Sequence, residues 1–199
     1  MGLQAQSAGV ITMSNKWSFK CSVKLSGETN SSLQKIVQFY LWETPVPNTS
    51  EKGVPFALMG IEKSKYKTLQ AEMRKHSGFP AADGHDWKKT TIKSIEKDLK
   101  SLDRLDRYDC SFEFAIHTVK NGLGKTEALF YFIRNAFAHG GFRISTYKGE
   151  HYFVLENRKN GSIRGRAILK ESTLLSWAKL INDLRSKKKK LVPSKSGKR

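Results

Sequence analysis

The stretch that decides the fold is Glu127–Phe142, EALFYFIRNAFAHGGF, an aromatic-rich segment that ends in two glycines and a phenylalanine. With side chains placed about 100° apart around a helix axis, the segment separates into two faces. The apolar face contains Leu129, Phe130, Phe132, Ile133, Ala136 and Phe137. The other face contains Glu127, Tyr131, Arg134, Asn135, Ala138 and His139. The pattern predicts the last turns of an amphipathic helix that stops at Gly140 and Gly141.

Three polar residues of different chemistry, Arg134, Asn135 and His139, lie near the end of this predicted helix. The planar guanidinium of an arginine suits a phosphate, and an asparagine amide both donates and accepts hydrogen bonds. A histidine transfers a proton near neutral pH, and in a last turn the helix dipole favours its charged form. The alternative is structural, because basic residues are also common at helix C-termini.

The hexapeptide Arg134–His139, RNAFAH, resembles the Arg-polar-x-x-x-His motif of the HEPN superfamily. HEPN domains are small and mostly helical, and many are endoribonucleases that need no metal or other cofactor. The resemblance covers about residues 90–142 and implies that the motif lies near the end of the last core helix. It also implies that dimerisation joins two motifs into one RNA-cleaving site. Some HEPN toxins carry a modified tyrosine where this chain has Gly141, which speaks against regulation by that modification.

The function expected from this resemblance is a metal-independent endoribonuclease with a stress-response, toxin–antitoxin or antiviral defence role. His139 is expected to transfer a proton as base or acid, and Arg134 to stabilise charge on the phosphoryl oxygens. Asn135 is expected to orient the phosphate or the histidine. Glu127 and Tyr131 share the polar face upstream and are expected to support these three catalytic residues. Because one histidine supplies one proton-transfer group, we expect a homodimer.

Two other functions fit the same residues. In one, the chain is a non-catalytic basic module that binds nucleic acid and keeps the motif for helix termination or dimer contact. In the other, it is a partner-binding component of an antitoxin or defence complex, with its site masked until it is triggered. The binding module predicts salt-sensitive retention of RNA without cleavage.

The charge of the chain favours a polyanionic partner such as RNA. Lys and Arg number 36 against 18 acidic residues, which gives a formal charge of +18. The last 15 residues contain 8 of the basic residues and no acidic one, so the preceding 184 residues still carry +10. A basic body of this kind is typical of nucleic-acid-binding proteins, although a generic basic surface is the alternative.

The cysteines and hydropathy indicate a cytoplasmic protein with no membrane partner. Cys21 and Cys110 are the only cysteines, and they form no Cys-x-x-Cys pair that would suggest a zinc site or a disulfide framework. No segment is predicted to cross a membrane. The N-terminus lacks the basic start and long apolar run of a signal peptide. No metal site is predicted.

Upstream of the motif, the periodicity of apolar residues predicts one strand and three helices. The strand covers Trp17 to Leu25, and the helices cover about 32–43, 63–76 and 90–105. The segment 108–119 is ambiguous: its alternating residues resemble a strand, whereas the HEPN resemblance favours a linker or short helix. A glycine turn at residues 121–126 opens the motif helix.

Downstream of the motif, three short strands are predicted at 142–147, 151–156 and 162–169, with Asn160–Gly161 as a strong turn signal. This antiparallel meander carries five basic residues that we expect to guide RNA towards the site: Arg143, Arg158, Lys159, Arg164 and Arg166. The alternative, with equal weight, is that these residues are edge-strand charges that prevent aggregation. A final helix follows from Ser172 or Thr173.

Together these patterns predict a single α+β domain over residues 16–185. Its expected architecture is a HEPN-like helical core with a small antiparallel β-sheet at about 142–169 and a C-terminal helix. A flexible N-terminus is expected over residues 1–15. A disordered basic tail, able to bind polyanions without sequence preference, is expected over 186–199.

Overall fold

A five-stranded mixed sheet forms the centre of the fold in the computed structural model, which describes residues 15–17, 27–79, 86–118 and 122–191. Its described helices are α1 (Gly27–Trp42), α2 (Tyr66–Lys75), α3 (Ile95–Ser101), α4 (Lys125–Ala138) and α5 (Glu171–Leu191). The strands are β1 (Asn15–Lys16), β2 (Trp87–Thr90), β3 (Arg107–Tyr108), β4 (Phe114–Thr118), β5 (Phe142–Tyr147), β6 (Glu150–Lys159) and β7 (Ser162–Lys170). Short 3-10 helices cover Phe56–Met59 and Lys63–Lys65.

The sheet has the strand order β2-β4-β7-β6-β5. Strand β2 runs parallel to β4, with Trp87 opposite Ala115 and Thr90 opposite Thr118. The other pairs are antiparallel. The strands β5, β6 and β7 form the predicted meander. Both residues of its Asn160–Gly161 turn have positive φ. This geometry is typical of two-residue hairpin turns.

The fold is α+β, but the expected architecture of a HEPN-like helical core with a small antiparallel sheet is wrong. The sheet has five strands and is mixed, because β2 and β4 extend the meander. Four of the five residues in β4 are buried, so this strand lies inside the core rather than in a linker. A strand covered on both faces is rich in apolar residues and shows little alternation.

Apolar side chains pack on both faces of the sheet. On one face, α1, α4 and α5 cover Ala115, Phe153, Leu155 and neighbouring residues. On the other face, α3 covers Phe114, Ile116, Val154 and Ile168. Because successive residues of a strand point to opposite faces, β4 and β6 each contribute to both cores. The sheet is therefore the middle layer of the fold.

Most predicted elements near the meander are confirmed, and the main error lies upstream. The helices predicted at 32–43 and 63–76 match α1 and α2, and the last predicted helix matches α5. The helix predicted at 90–105 is shorter, at Ile95–Ser101, since Trp87–Thr90 pairs with β4 as a strand. Helix α5 continues to Leu191, within the segment predicted as a tail. Except for Trp17, the strand predicted at 17–25 lies outside the described residues.

Candidate functional site

The end of α4 is fixed by a glycine-dependent cap. His139 is the C-cap residue, and Gly140 follows it with φ +67°. The Gly140 amide donates to the Phe137 carbonyl (3.2 Å), and the Gly141 amide donates to the Ala136 carbonyl (2.8 Å). This pair of hydrogen bonds is a Schellman motif, in which the left-handed residue is usually glycine. The predicted stop of the helix is therefore confirmed.

Two glycines bring α4 close to the sheet. A Cβ atom on Gly141 would overlap the carbonyl oxygen of Glu156 in β6, and a Cβ atom on Gly165 in β7 would overlap the Phe132 ring of α4. The Glu156 amide also donates to the Gly141 carbonyl (2.7 Å). Since only glycine permits such close approach, these positions set the distance between the motif and the hairpin β6–β7.

An open cleft of about 840 Å³ lies between the C-terminal half of α4 and the end of the β6–β7 hairpin. We call it the motif cleft. Its lining residues come from α4, from the hairpin and from the end of β4: Tyr131, Phe132, Arg134, Asn135 and His139; Asn157, Arg158, Lys159, Asn160 and Arg164; and Thr118. The structure thus brings the three motif residues into one cleft with three of the five basic residues predicted to bind RNA.

Within the motif, Asn135 orients Arg134. The amide of Asn135 is buried, with 8% of the residue exposed, and its Oδ1 accepts a hydrogen bond from Nη1 of Arg134 (3.1 Å). Nε of Arg134 is buried and has no hydrogen-bond partner among the described residues. His139 is exposed at the helix end. The cleft therefore offers a partly buried guanidinium with unused donors and an exposed imidazole.

A β-bulge places Arg164 in the motif cleft. The pairing of β6 with β7 changes from Asn157 opposite Gly165 to Arg158 opposite Ile163, so Arg164 has no partner residue on β6. The hydroxyl of Thr118 donates to the Arg164 carbonyl (3.0 Å) and fixes the bulge to β4. Bulges often redirect a side chain next to a functional site. Here the bulge adds a second arginine to the wall opposite the motif.

The lining of the motif cleft is strongly basic. It includes Arg134, Arg158, Lys159 and Arg164, and within the ranges that the structure describes no acidic residue lines it. Of these four, Arg158 is partly neutralised, because its Nε donates to Glu156 Oε1 (2.8 Å). Its Nη1 donates to the Gly161 carbonyl (2.9 Å), which fixes the guanidinium across the hairpin turn. A concave surface with this charge attracts anions.

Three of the predicted site residues lie outside the motif cleft. Arg166 is 2% exposed and pairs with Glu156 Oε2 (2.6 Å), so the structure does not present this residue, which was predicted to bind RNA, at the surface. Burial lowers the pKa of Arg166, and Glu156 opposes that change. Arg143 is exposed on the edge strand β5, two strands away from β7. Its contact with RNA remains a prediction.

The third of these residues, Glu127, caps the start of α4. Its carboxylate accepts hydrogen bonds from the Gly124 amide (2.8 Å) and from the Tyr66 hydroxyl (2.9 Å). Eight residues of helix separate it from Asn135, a rise of about 12 Å. The structure thus places Glu127 at the start of α4 and away from the three motif residues that it was expected to support. Tyr131, one turn before Asn135, does line the motif cleft.

Four lining residues were not predicted from the sequence: Thr118, Phe132, Asn157 and Asn160. Thr118 lies at the end of a strand whose assignment was ambiguous, and Phe132 belongs to the apolar face of α4. Asn160 carried a signal, since Asn160–Gly161 predicts a turn directly after two basic residues. Asn157 carried none, because its place depends on the bulge.

Below the motif cleft, His117 is buried between α4 and β2. Its ring stacks on Phe132 with centroids 6.0 Å apart, and its Nδ1 donates to the Thr118 carbonyl (3.3 Å). Burial is the main cause that lowers the pKa of His117 to about 4, and the ammonium groups of Lys125 and Lys89 act in the same direction. The hydrogen bond to Thr118 acts in the opposite direction. The neutral ring is therefore a packing residue at neutral pH.

Comparisons with protein-family models, with curated proteins and with solved structures found no match. Among the described residues, no helix is both long enough and apolar enough to cross a membrane. Across the same ranges, no group of three or more His, Cys, Asp or Glu side chains is arranged to hold a metal ion. The description of this site therefore depends on the geometry and chemistry of its own residues.

Proposed function

We propose that this protein is a cytoplasmic endoribonuclease that cleaves RNA in the motif cleft without a metal ion. The observation that carries the proposal is the meeting of Arg134, Asn135 and His139 with two further arginines in one cleft, where none of the described lining residues is acidic. The reaction type comes from the resemblance of the motif to those of HEPN ribonucleases. The resemblance also supports a role in stress response, toxin–antitoxin pairing or antiviral defence.

In the proposed reaction, the 2′-oxygen of a ribose attacks the adjacent phosphorus. The new 2′-O–P bond forms as the P–O5′ bond breaks, which gives a 2′,3′-cyclic phosphate and a 5′-hydroxyl. A base removes the proton from the 2′-hydroxyl, and an acid supplies a proton to the leaving 5′-oxygen. The internal nucleophile requires no metal-bound water, and the described lining residues include none of the carboxylates that Mg²⁺ prefers.

The residues of the cleft supply these roles in the following way. His139 is exposed and transfers a proton near neutral pH. Arg134 stabilises the charge that develops on the phosphoryl oxygens, and its hydrogen bond with Asn135 fixes its orientation. Arg164 faces the same space from the hairpin and binds a phosphate oxygen. A planar guanidinium on each side of the cleft suits the tetrahedral phosphate.

A homodimer is part of this proposal. Among the described residues that line the motif cleft of one chain, His139 is the single histidine, whereas the reaction uses a base and an acid. Two copies of the motif meeting across a twofold axis would supply both groups. Strict monomeric behaviour of a chain that cleaves RNA would contradict this step.

A second candidate function is a non-catalytic RNA-binding module. The observation that favours it is the position of His139 as the C-cap of α4, which accounts for the residue without catalysis. Phosphates would then bind to the same arginines, and RNA would be retained but not cut. The two candidates differ in one measurable property, the chemical change of the RNA.

The test is cleavage of single-stranded RNA in excess EDTA by the wild-type chain and four variants. His139→Ala and Arg134→Ala remove motif residues, and we expect each to lower the rate by about 10²–10⁴-fold. The controls are His76→Ala and Lys67→Ala, which remove an exposed histidine and an exposed lysine that do not line the motif cleft. Both controls are expected to cleave at the wild-type rate.

The ends of the products complete the test. Fragments with a 2′,3′-cyclic phosphate and a 5′-hydroxyl are expected from wild type. A His139→Ala variant that cleaves normally would overturn the assignment of the site. RNA that stays intact with all five proteins, but is retained in a salt-sensitive manner, would favour the binding module.

A further inference from the structure

A second basic cleft lies at the edge of the sheet, on the strand next to β4. It has a volume of about 510 Å³ and lies between the end of β2 and the start of α3. Lys89, Thr90 and Lys97 are among its lining residues. We call it the lysine cleft. Both lysines are exposed, and neither forms a salt bridge with any residue that the structure describes.

The lysine cleft is held by a polar contact in its floor. Asp98 of α3 accepts hydrogen bonds from the Thr90 hydroxyl and from Lys88 Nζ (2.6 Å), so the end of β2 is tied to α3. Asp98 is 9% exposed, and its negative charge is balanced by Lys88. The hydrogen bonds from Lys88 and Thr90 lower the pKa of Asp98 although burial opposes them. The positive charges of Lys89 and Lys97 are therefore left at the opening.

The two clefts are lined by paired residues of two neighbouring strands. Thr118 lines the motif cleft and Thr90 lines the lysine cleft, and these two residues are paired in the register of β4 with β2. Paired strands lie about 4.8 Å apart. Lys89 is paired in the same register with His117, whose ring stacks on Phe132 in the wall of the motif cleft. The two clefts are thus close enough for one extended strand to contact both.

We propose that the lysine cleft binds the phosphodiester backbone of single-stranded RNA next to the nucleotides held in the motif cleft. This inference rests on the proposed function for the identity of the polymer. Ammonium groups on flexible side chains contact phosphates as point charges and do not read bases. The lysine cleft therefore adds affinity for a longer strand without adding sequence preference.

The test measures binding with strands that cannot be cleaved. The probes are a 12-nucleotide and a 3-nucleotide single strand of 2′-O-methyl RNA, in which the attacking hydroxyl is blocked. The double variant Lys89→Gln/Lys97→Gln is compared with wild type and with the control Lys35→Gln/Lys52→Gln. The control removes the same charge from exposed residues that line neither cleft. Affinity is measured by fluorescence anisotropy between about 50 and 300 mM salt.

The expected loss follows from counterion release. For single strands, each phosphate contact makes log K fall by about 0.7 for each tenfold rise in salt concentration. Each contact therefore strengthens binding about fivefold at 0.1 M salt compared with 1 M salt. Loss of two contacts should weaken binding of the 12-nucleotide strand by about 25-fold at 0.1 M and reduce the salt slope by about 1.4. The 3-nucleotide strand and the control variant should bind as in wild type.

Two results would overturn the inference. One is a Lys89→Gln/Lys97→Gln variant that binds the 12-nucleotide strand with wild-type affinity and slope. The other is an equal loss with both strands, which would place the lysines at the motif cleft itself. Failure of the proposed ribonuclease is seen separately, because it appears as intact RNA in the cleavage assay and leaves this binding measurement unaffected.

Discussion

The buried ring of His117 should make the stability of the protein fall sharply in mild acid. The pKa of this ring is lowered to about 4 in the folded chain, whereas the ordinary value is 6.5. Between these two pH values the unfolded chain binds a proton at this position and the folded chain does not. Stability therefore rises with pH over this interval and is lost as the pH falls from 6.5 to 4.

The size of the effect follows from the gap between the two pKa values. At about 1.4 kcal/mol per pH unit, the fall from pH 7 to pH 4 should remove about 3 kcal/mol of unfolding free energy through His117 alone. Domains are typically stable by about 5–15 kcal/mol, so the loss is a large share of the total. The cost of charging the ring arises because Phe132 and the sheet exclude water from it.

Urea unfolding of wild type and His117→Phe at pH 7, 6, 5 and 4 tests this prediction. The phenylalanine keeps an aromatic ring against Phe132 and cannot bind a proton. Other acid effects, including repulsion within this basic chain, act on both proteins and cancel in the difference. We expect the wild-type curve to lose about 3 kcal/mol more than the variant between pH 7 and pH 4. Two curves that stay parallel within about 1 kcal/mol would refute the reasoning.

Three further changes probe how the sheet supports the motif cleft. Gly165→Ala would bring a Cβ atom into the Phe132 ring and should cost about 1–3 kcal/mol in urea unfolding. Glu156→Gln leaves the buried Arg166 without its charged partner and should cost about 3–5 kcal/mol in the same assay. Arg164→Ala should keep stability within about 1 kcal/mol while slowing RNA cleavage by about 10²-fold, since its side chain lines the cleft.

Each of these changes has its own control. Adding Phe132→Leu to Gly165→Ala should recover part of the lost stability, because the smaller side chain relieves the overlap. Glu156→Asp retains the charge and should cost less than Glu156→Gln. Cleavage at the wild-type rate by Arg164→Ala would show that this arginine takes no part in the reaction. A Gly165→Ala variant as stable as wild type would show that the ring moves away freely.

The motif helix and the meander could be predicted because their signals are local. The apolar face of the helix, its stop at Gly140 and the Asn160–Gly161 turn each depend on residues close together in the chain. The strand β2 could not be predicted in this way, because its partner β4 lies about 27 residues later. Without β4, the four residues of β2 resemble the N-terminal cap of the helix that follows.

The residues that line the motif cleft were harder to predict from the sequence than the motif itself. Strict alternation along β7 would place Arg164 and Arg166 on the same face of the sheet. The bulge at Arg164 separates them, so that one lines the motif cleft and the other is buried beside Glu156. Nothing in the local sequence indicates this extra residue, since it is defined by the pairing of two strands.

The bulge also has a consequence for the time at which the site is completed during synthesis. The motif ends at His139, whereas the opposite wall of the cleft is closed by Arg164, 25 residues later in the chain. A ribosome makes the N-terminal part first, and strands that pair over a hairpin form only when both have emerged. Under the proposed function, a nascent chain therefore carries its catalytic histidine before it has a complete substrate-binding surface. Under the same proposal, the chain becomes able to cut RNA only after β7 has been made and has paired with β6.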